Sequence, residues 1–347
     1  GTKVVGGYGT GQAETAPCRP PTQPSPATRP LRTVGAMSSL AVLIPALDES
    51  ATVADVLQEY HAALPEAELV VVDNGSTDGT PELARATLEE LGCRGRVLSE
   101  PRRGKGIAVR TALRRVDADT YLLVDADSTY PATEVGPLLA AVREEGADMA
   151  VGDRHSSGAY ARENRRPLHD VGNSLVARLI NGLYRSSLQD VMSGLRVFNR
   201  TVARSVPLLH DGFEIETEMT VYCLDRRLRI VEVPIDYRDR PAGSHSKLRT
   251  TRDGVRILRL IILLFKDYRP LAFFGTIGLV AVVLGVMAGI PPILDYVRFQ
   301  YVYRVPLAVL AVGLVLTGLV AGTTGLILDT VVNLDRQNFE RQTRRPG

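Results

Sequence analysis

Two runs near the C-terminus constrain this chain more than any other feature. Residues 271–294 and 305–328 each contain 24 positions without a single Asp, Glu, Lys or Arg. As helices they would reach about 36 Å, against a hydrocarbon core of about 30 Å. Both are expected to span a bilayer as a hairpin over 271–330. Pro291 and Pro292 are expected to shorten or kink the end of the first span. The loop between the spans, 295–304, carries Tyr296, Phe299, Tyr301 and Tyr303, an aromatic belt at one membrane face.

The flanking charges set an expected orientation. Arg249, Arg252, Arg256, Arg259, Lys266 and Arg269 precede the first span, and Arg336, Arg341, Arg344 and Arg345 follow the second. The connecting loop has only Arg298 and Arg304. The bias of cations toward the inner face puts both long ends in the cytoplasm, which predicts a multi-pass protein of the cytoplasmic membrane. Residues 249–270 lead into the first span with arginines at helical intervals and an apolar stripe of Val255, Leu258, Ile261, Ile262 and Phe265. That pattern fits an amphipathic helix packed on its own domain or lying on the membrane. Gly285 and Gly289, like Gly318 and Gly322, have the spacing that lets helices approach closely; packing of one span on the other is the simpler reading, and a homo-oligomer the wider one.

The rest of the chain is that of a globular protein. Over all 347 residues, 23% are charged, too many for a polytopic transporter, and the net charge of +2 argues for no nucleic-acid partner. Residues 1–36 are rich in Pro, Gly and Thr and read as a disordered N-terminal tail without the apolar core of a signal peptide. Cys18, Cys93 and Cys223 are odd in number and widely spaced, as expected of reduced thiols rather than a metal cage. Residues 331–347 read as a basic cytoplasmic tail. There is no Trp.

Between 37 and 248 the sequence alternates strand and helix. Apolar runs at 40–45, 68–73, 95–100, 120–125 and 147–152 read as buried parallel strands, with helical patterns near 52–63, 81–91, 105–115 and 132–145. This predicts an α/β domain with a parallel, right-handed crossover sheet, whose ligands bind beyond the carboxyl ends of the strands. Polar clusters stand there. Asp125 and Asp127 follow the fourth strand, where two hard carboxylates can hold Mg²⁺ or Mn²⁺ with positions open for phosphate oxygens. The segment Asp73-Asn-Gly-Ser-Thr-Asp-Gly-Thr80 suits either a turn and helix cap or base and ribose recognition. Gly104-Lys105-Gly106 either caps a helix or brings amides and a cation near a nucleotide; it lacks the spacing of a P-loop.

Taken together, these motifs carry a resemblance. Pro45…Glu49, Val71-Val-Asp73-Asn-Gly-Ser-Thr-Asp-Gly-Thr80, Arg103-Gly-Lys-Gly106, Asp125-Ala-Asp-Ser-Thr-Tyr-Pro131 and Gly152-Asp-Arg154 resemble family 2 glycosyltransferases of the GT-A fold, a Rossmann-like nucleotide-sugar-binding domain. Asp190-Val-Met-Ser-Gly-Leu-Arg-Val-Phe198, Gly212-Phe-Glu-Ile-Glu-Thr-Glu218 and Tyr237-Arg-Asp-Arg-Pro-Ala-Gly-Ser-His-Ser-Lys-Leu248 are similar to the polyprenyl-phosphate branch, which includes dolichol-phosphate mannose synthase. The resemblance covers about 40–330.

The resemblance implies roles. Glu49 and Asp73, with Pro45 and Leu47, would contact the nucleoside. Asp125 and Asp127, flanking Ala126, would hold the metal, with Thr129 in the shell; many relatives carry a different residue where Thr129 stands. Lys105, Arg154, Arg165 or Arg166, Arg240, Ser246 and Lys247 would bind phosphates. Asp190, Ser193, Glu214 and Glu216 would line the sugar side, although acidic residues in a helix's first turn also suit its dipole. Asp125, Asp127, Asp190, Glu216 and Arg154 would be the catalytic set. The implied reaction is inverting transfer of one sugar from a UDP- or GDP-sugar to polyprenyl phosphate, whose anionic oxygen needs no strong base. A non-lipid glycan or protein acceptor is the alternative, and a non-catalytic binder would tolerate loss of Asp125 or Asp127. The absence of Trp excludes processive synthases, which need a Gln-x-x-Arg-Trp motif.

Overall fold

The computed structural model describes residues 38–156, 167–212, 214–238, 259 and 262–343. Arg165, Arg166, Arg240, Ser246 and Lys247 lie outside these residues, as do the tail 1–36 and most of 249–261.

Seven strands form one sheet in the order β3-β2-β1-β4-β6-β5-β7. The strands are β1 (Leu40–Ala46), β2 (Glu68–Asp73), β3 (Gly95–Ser99), β4 (Thr120–Leu123), β5 (Met149–Asp153), β6 (Arg196–Asn199) and β7 (Ile230–Pro234). The five expected strands are all present, but β3, expected to be buried, is an edge strand in which only Leu98 is buried. The sheet is mixed rather than parallel throughout, because β6 enters antiparallel between β4 and β5. This four-residue strand was not anticipated; in sequence it looks like the tail of the 190–198 motif.

The central strands bury both faces, which explains their unbroken apolar runs. Val42, Ile44, Leu69, Val71 and Leu122 pack on one side with α1 (Val53–Ala63), α2 (Thr80–Leu91) and α4 (Val135–Arg143). Ala41, Leu43, Val70, Val72, Tyr121 and Leu123 pack on the other with α3 (Lys105–Arg115), α6 (Arg200–Ser205) and α7 (Ile215–Asp225). α5 (Pro167–Tyr184) contributes Val176, Ala177 and Ile180 to a third cluster with Val191, Val221 and Leu264. β2 and β3 extend the sheet on one side of β1 and β4 begins the other side, so the strand order reverses between β1 and β4, where such sheets bind ligands beyond the carboxyl ends of their strands.

Two long helices follow, α8 (Pro270–Phe299) and α9 (Val305–Thr343). Both are long and apolar enough to cross a membrane. α8 runs through Pro291 and Pro292 without ending, so the first half of the expected loop, 295–299, is helical and the turn shrinks to 300–304. α9 continues well past its uncharged run, so residues 331–343, read as a tail, are helix. The two helices pack on each other. A Cβ on Gly278 would come within 2.6 Å of the Gly318 carbonyl, and one on Gly285 within 2.9 Å of the Ala311 carbonyl. The close approach therefore uses Gly278, Gly285 and Gly318; Gly322 faces open space and Gly289 meets only the Ala311 methyl at 3.7 Å.

Candidate active site

The loops after β1 and β2 hold one another by hydrogen bonds. The Asp48 amide donates to Ser76 Oγ (2.9 Å), Glu49 N–H to Thr80 Oγ1 (2.9 Å) and Ser50 N–H to Asp78 Oδ2 (2.9 Å). Thr77 N–H returns a bond to Asp48 Oδ1 (2.7 Å). Asp73 Oδ1 accepts from Ser76 N–H at 3.0 Å, so Asp73 and Asp78 act partly as turn residues. Burial alone would raise the Asp78 carboxyl, but bonds from Thr80 and Ser50 outweigh it and bring the pKa down to about 2. Asn74 ties these loops to the next one: its amide donates to the carbonyls of Glu100 (3.3 Å) and Arg102 (2.6 Å) and its oxygen accepts from Gly104 N–H (2.6 Å).

The Gly-Lys-Gly turn has a steric purpose. Cβ atoms on Gly104 and Gly106 would sit 2.2 and 2.1 Å from the carbonyl oxygens of Asp211 and His210. Gly106 N–H donates to the Asp211 carbonyl (3.0 Å). The turn therefore lies flush against the segment leading into α7, and Lys105 reaches across to it. Lys105 Nζ stands 2.5 Å from both Asp125 Oδ1 and Glu216 Oε1. Burial by itself would lower the Lys105 ammonium; the two carboxylates outweigh it and hold it above its ordinary value. Burial raises Glu216 despite the lysine. The second Glu216 oxygen, Oε2, is buried with no hydrogen-bond partner.

Asp125 and Asp127 stand just beyond β4. Thr52 Oγ1 donates to the carbonyl of Ala126 between them (2.6 Å), which ties this loop to the start of α1. Asp127 is 3% exposed, and its Oδ1 accepts from both the amide (3.2 Å) and the hydroxyl (2.6 Å) of Thr129. Thr129 thus orients Asp127. Asp125 needs Gly194 beside it, since a Cβ there would lie 2.5 Å from Asp125 Oδ2. Gly194 N–H is in turn held by the Tyr130 hydroxyl (2.8 Å).

On the far side Asp190 and Arg154 form a bidentate pair, with Nε to Oδ2 at 2.7 Å and Nη2 to Oδ1 at 2.9 Å. The Asp190 side chain is fully buried. Burial would raise it, but Arg154 prevails and holds it below its ordinary value. The Arg154 guanidinium lies 5.6 Å from the Tyr237 ring centroid. Ser193 is buried with its hydroxyl unpartnered, while its carbonyl accepts from Arg196 Nε (2.9 Å). Arg196 also donates to the Val191 carbonyl (2.7 Å) and Thr220 Oγ1 (2.8 Å).

The structure therefore brings Lys105, Asp125 and Glu216 into one cluster and pairs Arg154 with Asp190. Pro45, Leu47, Glu49 and Asp73 lie in the β1 and β2 end loops. Glu214 precedes α7. Asn74, Thr52, Tyr130 and Arg196 were not anticipated. Arg196 did leave a signal: a single charge inside the apolar run Leu195-Arg-Val-Phe198.

Known proteins resemble this chain in sequence and fold. The Glycosyl transferase family 2 profile matches residues 41–206. "Glycosyltransferase AglJ" of Haloferax volcanii is 33% identical over 311 residues, which covers 87% of this chain and 97% of that protein. The chain belongs to glycosyl transferase family 2. Another Haloferax volcanii relative of this glycosyltransferase, "Dolichyl-phosphate hexose transferase", is 32% identical over 64% of this chain and 92% of its own. Among solved structures, glucosyl-3-phosphoglycerate synthase from Mycobacterium tuberculosis, crystallised with Mn²⁺, UDP and phosphoglyceric acid, superposes with a TM-score of 0.52 at 23% identity, over 66% of this chain and 78% of that one. The shared feature at that distance is the GT-A-like fold, here followed by the two long apolar helices of the glycosyltransferase.

Proposed function

We propose that this glycosyltransferase moves a single sugar, with inversion, from a UDP- or GDP-sugar to polyprenyl phosphate at the cytoplasmic membrane face. The observation that supports the reading is that Asp125, Lys105 and Glu216 meet at the carboxyl end of β4 in a chain that continues into two membrane-length helices. The name of the dolichyl-phosphate hexose transferase relative supports a prenyl-phosphate acceptor.

A divalent cation, Mg²⁺ or Mn²⁺, fits the residues present. Among the described residues no group of three or more His, Cys, Asp or Glu side chains could hold a metal ion, so Asp125 and Asp127 would share it with donor phosphate oxygens. Asp125 Oδ1 is already held at a cation, and Thr129 presets Asp127. When bound, the metal supplies charge neutralisation for the departing diphosphate.

The chain's own residues do the remaining work. The β1 and β2 end loops, with Glu49 and Asp73, seat the nucleoside. Lys105 balances the carboxylates so that an anionic donor can approach. Arg154, oriented by Asp190, presents a guanidinium to phosphate. Arg166, Arg240 and Lys247 are proposed to add cations for the acceptor, and Ser193 and Glu216 to line the sugar.

The test is purified full-length protein in lipid vesicles with a panel of radiolabelled UDP- and GDP-sugars and undecaprenyl phosphate. Lipid-extractable label with one donor is expected, and Asp127→Ala should abolish it while insertion persists. Label passed only to a soluble glycan would overturn the acceptor assignment. Undiminished turnover by Asp127→Ala would overturn the metal assignment.

A further inference from the structure

The membrane hairpin meets the catalytic domain on the very helix that carries Glu216. The first turn of α7 places Glu216 at the site, and its end holds Asp225, followed by Arg226. α9 stays helical after its uncharged run and brings Asp335, Arg336 and Phe339 to that end. The charges are crossed. Arg336 Nε donates to Asp225 Oδ2 at 3.0 Å and its Nη2 to Oδ1, while Arg226 pairs with Asp335. The Asp225 side chain is 1% exposed, so its charge is balanced by Arg336 rather than by water. The Arg226 guanidinium lies 5.4 Å from the Tyr222 ring centroid and 5.3 Å from that of Phe339, and the two rings meet edge to face at 6.3 Å.

Arg336 also donates to the Tyr268 carbonyl at 3.1 Å, two residues before α8 begins. One side chain thus joins the feet of both spans to α7. By helix rise, Arg336 stands about 12 Å beyond Leu328, and Glu216 about 14 Å along α7 from Asp225.

We propose that this clamp sets the height and tilt of the Lys105–Glu216 cluster above the bilayer, and that Asp225 and Arg336 are positioning residues for attack by a phosphate whose tail stays in the membrane. The inference rests on the lipid-phosphate acceptor proposed above. A tethered acceptor reaches the site only at headgroup depth, and a displacement of about 1 Å can cost about a hundredfold in rate. A short acceptor free in water approaches from any depth and is indifferent to the clamp.

The experiment compares full-length Arg336→Asp, Asp225→Arg, the double exchange and Asp335→Asn in vesicles. Each is assayed with undecaprenyl phosphate and with a short, water-soluble prenyl phosphate, and UDP- or GDP-dependent thermal protection reports folding. Arg336→Asp should raise KM for the long acceptor about tenfold, with donor KM and short-acceptor kcat/KM changed less than about twofold. The double exchange should recover most of the loss. Asp335→Asn leaves Asp225 paired, and should show the same split at about threefold even if Arg336→Asp does not fold. Equal losses on both acceptors, or none on the long one, overturn the clamp. Wild-type protein that uses neither prenyl phosphate but glycosylates a soluble acceptor overturns the acceptor reading, and the clamp falls with it.

Discussion

At the ends of β1 and β2 the loops are held by hydrogen bonds spread over many small side chains, those of Ser76, Thr77, Asp78, Thr80 and Asn74. Beyond β4 and β5 the same task falls to a few buried ion pairs, Lys105 with Asp125 and Glu216, and Arg154 with Asp190. The first side is redundant, since losing one bond leaves its neighbours in place. The second is not, because removing one ion leaves its partner charged or protonated in a place with little water. The division matches the proposed chemistry: a nucleoside needs many weak polar contacts, whereas a sugar and two phosphates need charges fixed in advance.

If the contrast is right, the deepest break comes at Lys105. Lys105→Met leaves two carboxylates face to face, one of them on Glu216, whose proton affinity burial already raises. Transfer should fall at least about a hundredfold and the domain should lose about 3 kcal/mol, read by turnover and urea denaturation. Near-normal turnover would remove Lys105 from the machinery.

Arg154→Met comes next. Asp190 keeps bonds from the Arg154 and Met192 amides but loses its guanidinium, at a cost of about 3 kcal/mol near neutral pH. Because the folded Asp190 value is depressed below 3.8, this contribution is present above that value and lost as pH falls through the folded one. The gap between wild type and variant should close in acid; a gap constant with pH would show that packing, not the ion pair, holds Asp190. On the redundant side, Asn74→Ala should cost only about 1–2 kcal/mol and raise donor KM a few-fold. A loss equal to that of Arg154→Met would erase the distinction between the two sides.

How far the sequence told this apart depends on run length. β1, β2 and β4 were legible because both faces of a central strand are buried, so the apolar run is continuous, and the two long apolar helices because each carries 24 uncharged residues in a row. Asp125, Asp127 and Lys105 were legible as residues at strand and helix ends, but the contact of Lys105 with Glu216 spans 111 positions and follows only from the fold. β6 was hidden because four residues give too short a pattern to show direction. Arg196 left only a lone charge in an apolar run, because the carbonyls and hydroxyl that hold it are brought to it by the fold. The continuation of α9 was hidden by its charges, which resemble a solvated tail until Asp225 and Arg226 are seen opposite them.

The smallest expected effect joins the two sides, at the segment on which Gly104 and Gly106 rest. Glu218 accepts the amides of Leu209 (2.7 Å) and His210 (3.1 Å), and His210 Nδ1 lies 3.2 Å from the same carboxylate. The Glu218 bond raises the His210 value above 6.5, and burial only partly opposes it. A raised histidine value means that the pairing stabilises the fold fully below 6.5 and that this contribution fades as pH rises through the folded value. His210 is partly open to solvent, so the contribution is under about 1 kcal/mol. His210→Gln keeps both amide bonds to Glu218 and removes the titration. Its melting temperature should fall below wild type in mildly acidic buffer and converge with it in alkaline buffer. A difference that grows with pH would show that the neutral imidazole, packed against this segment, is what steadies the turn under Lys105.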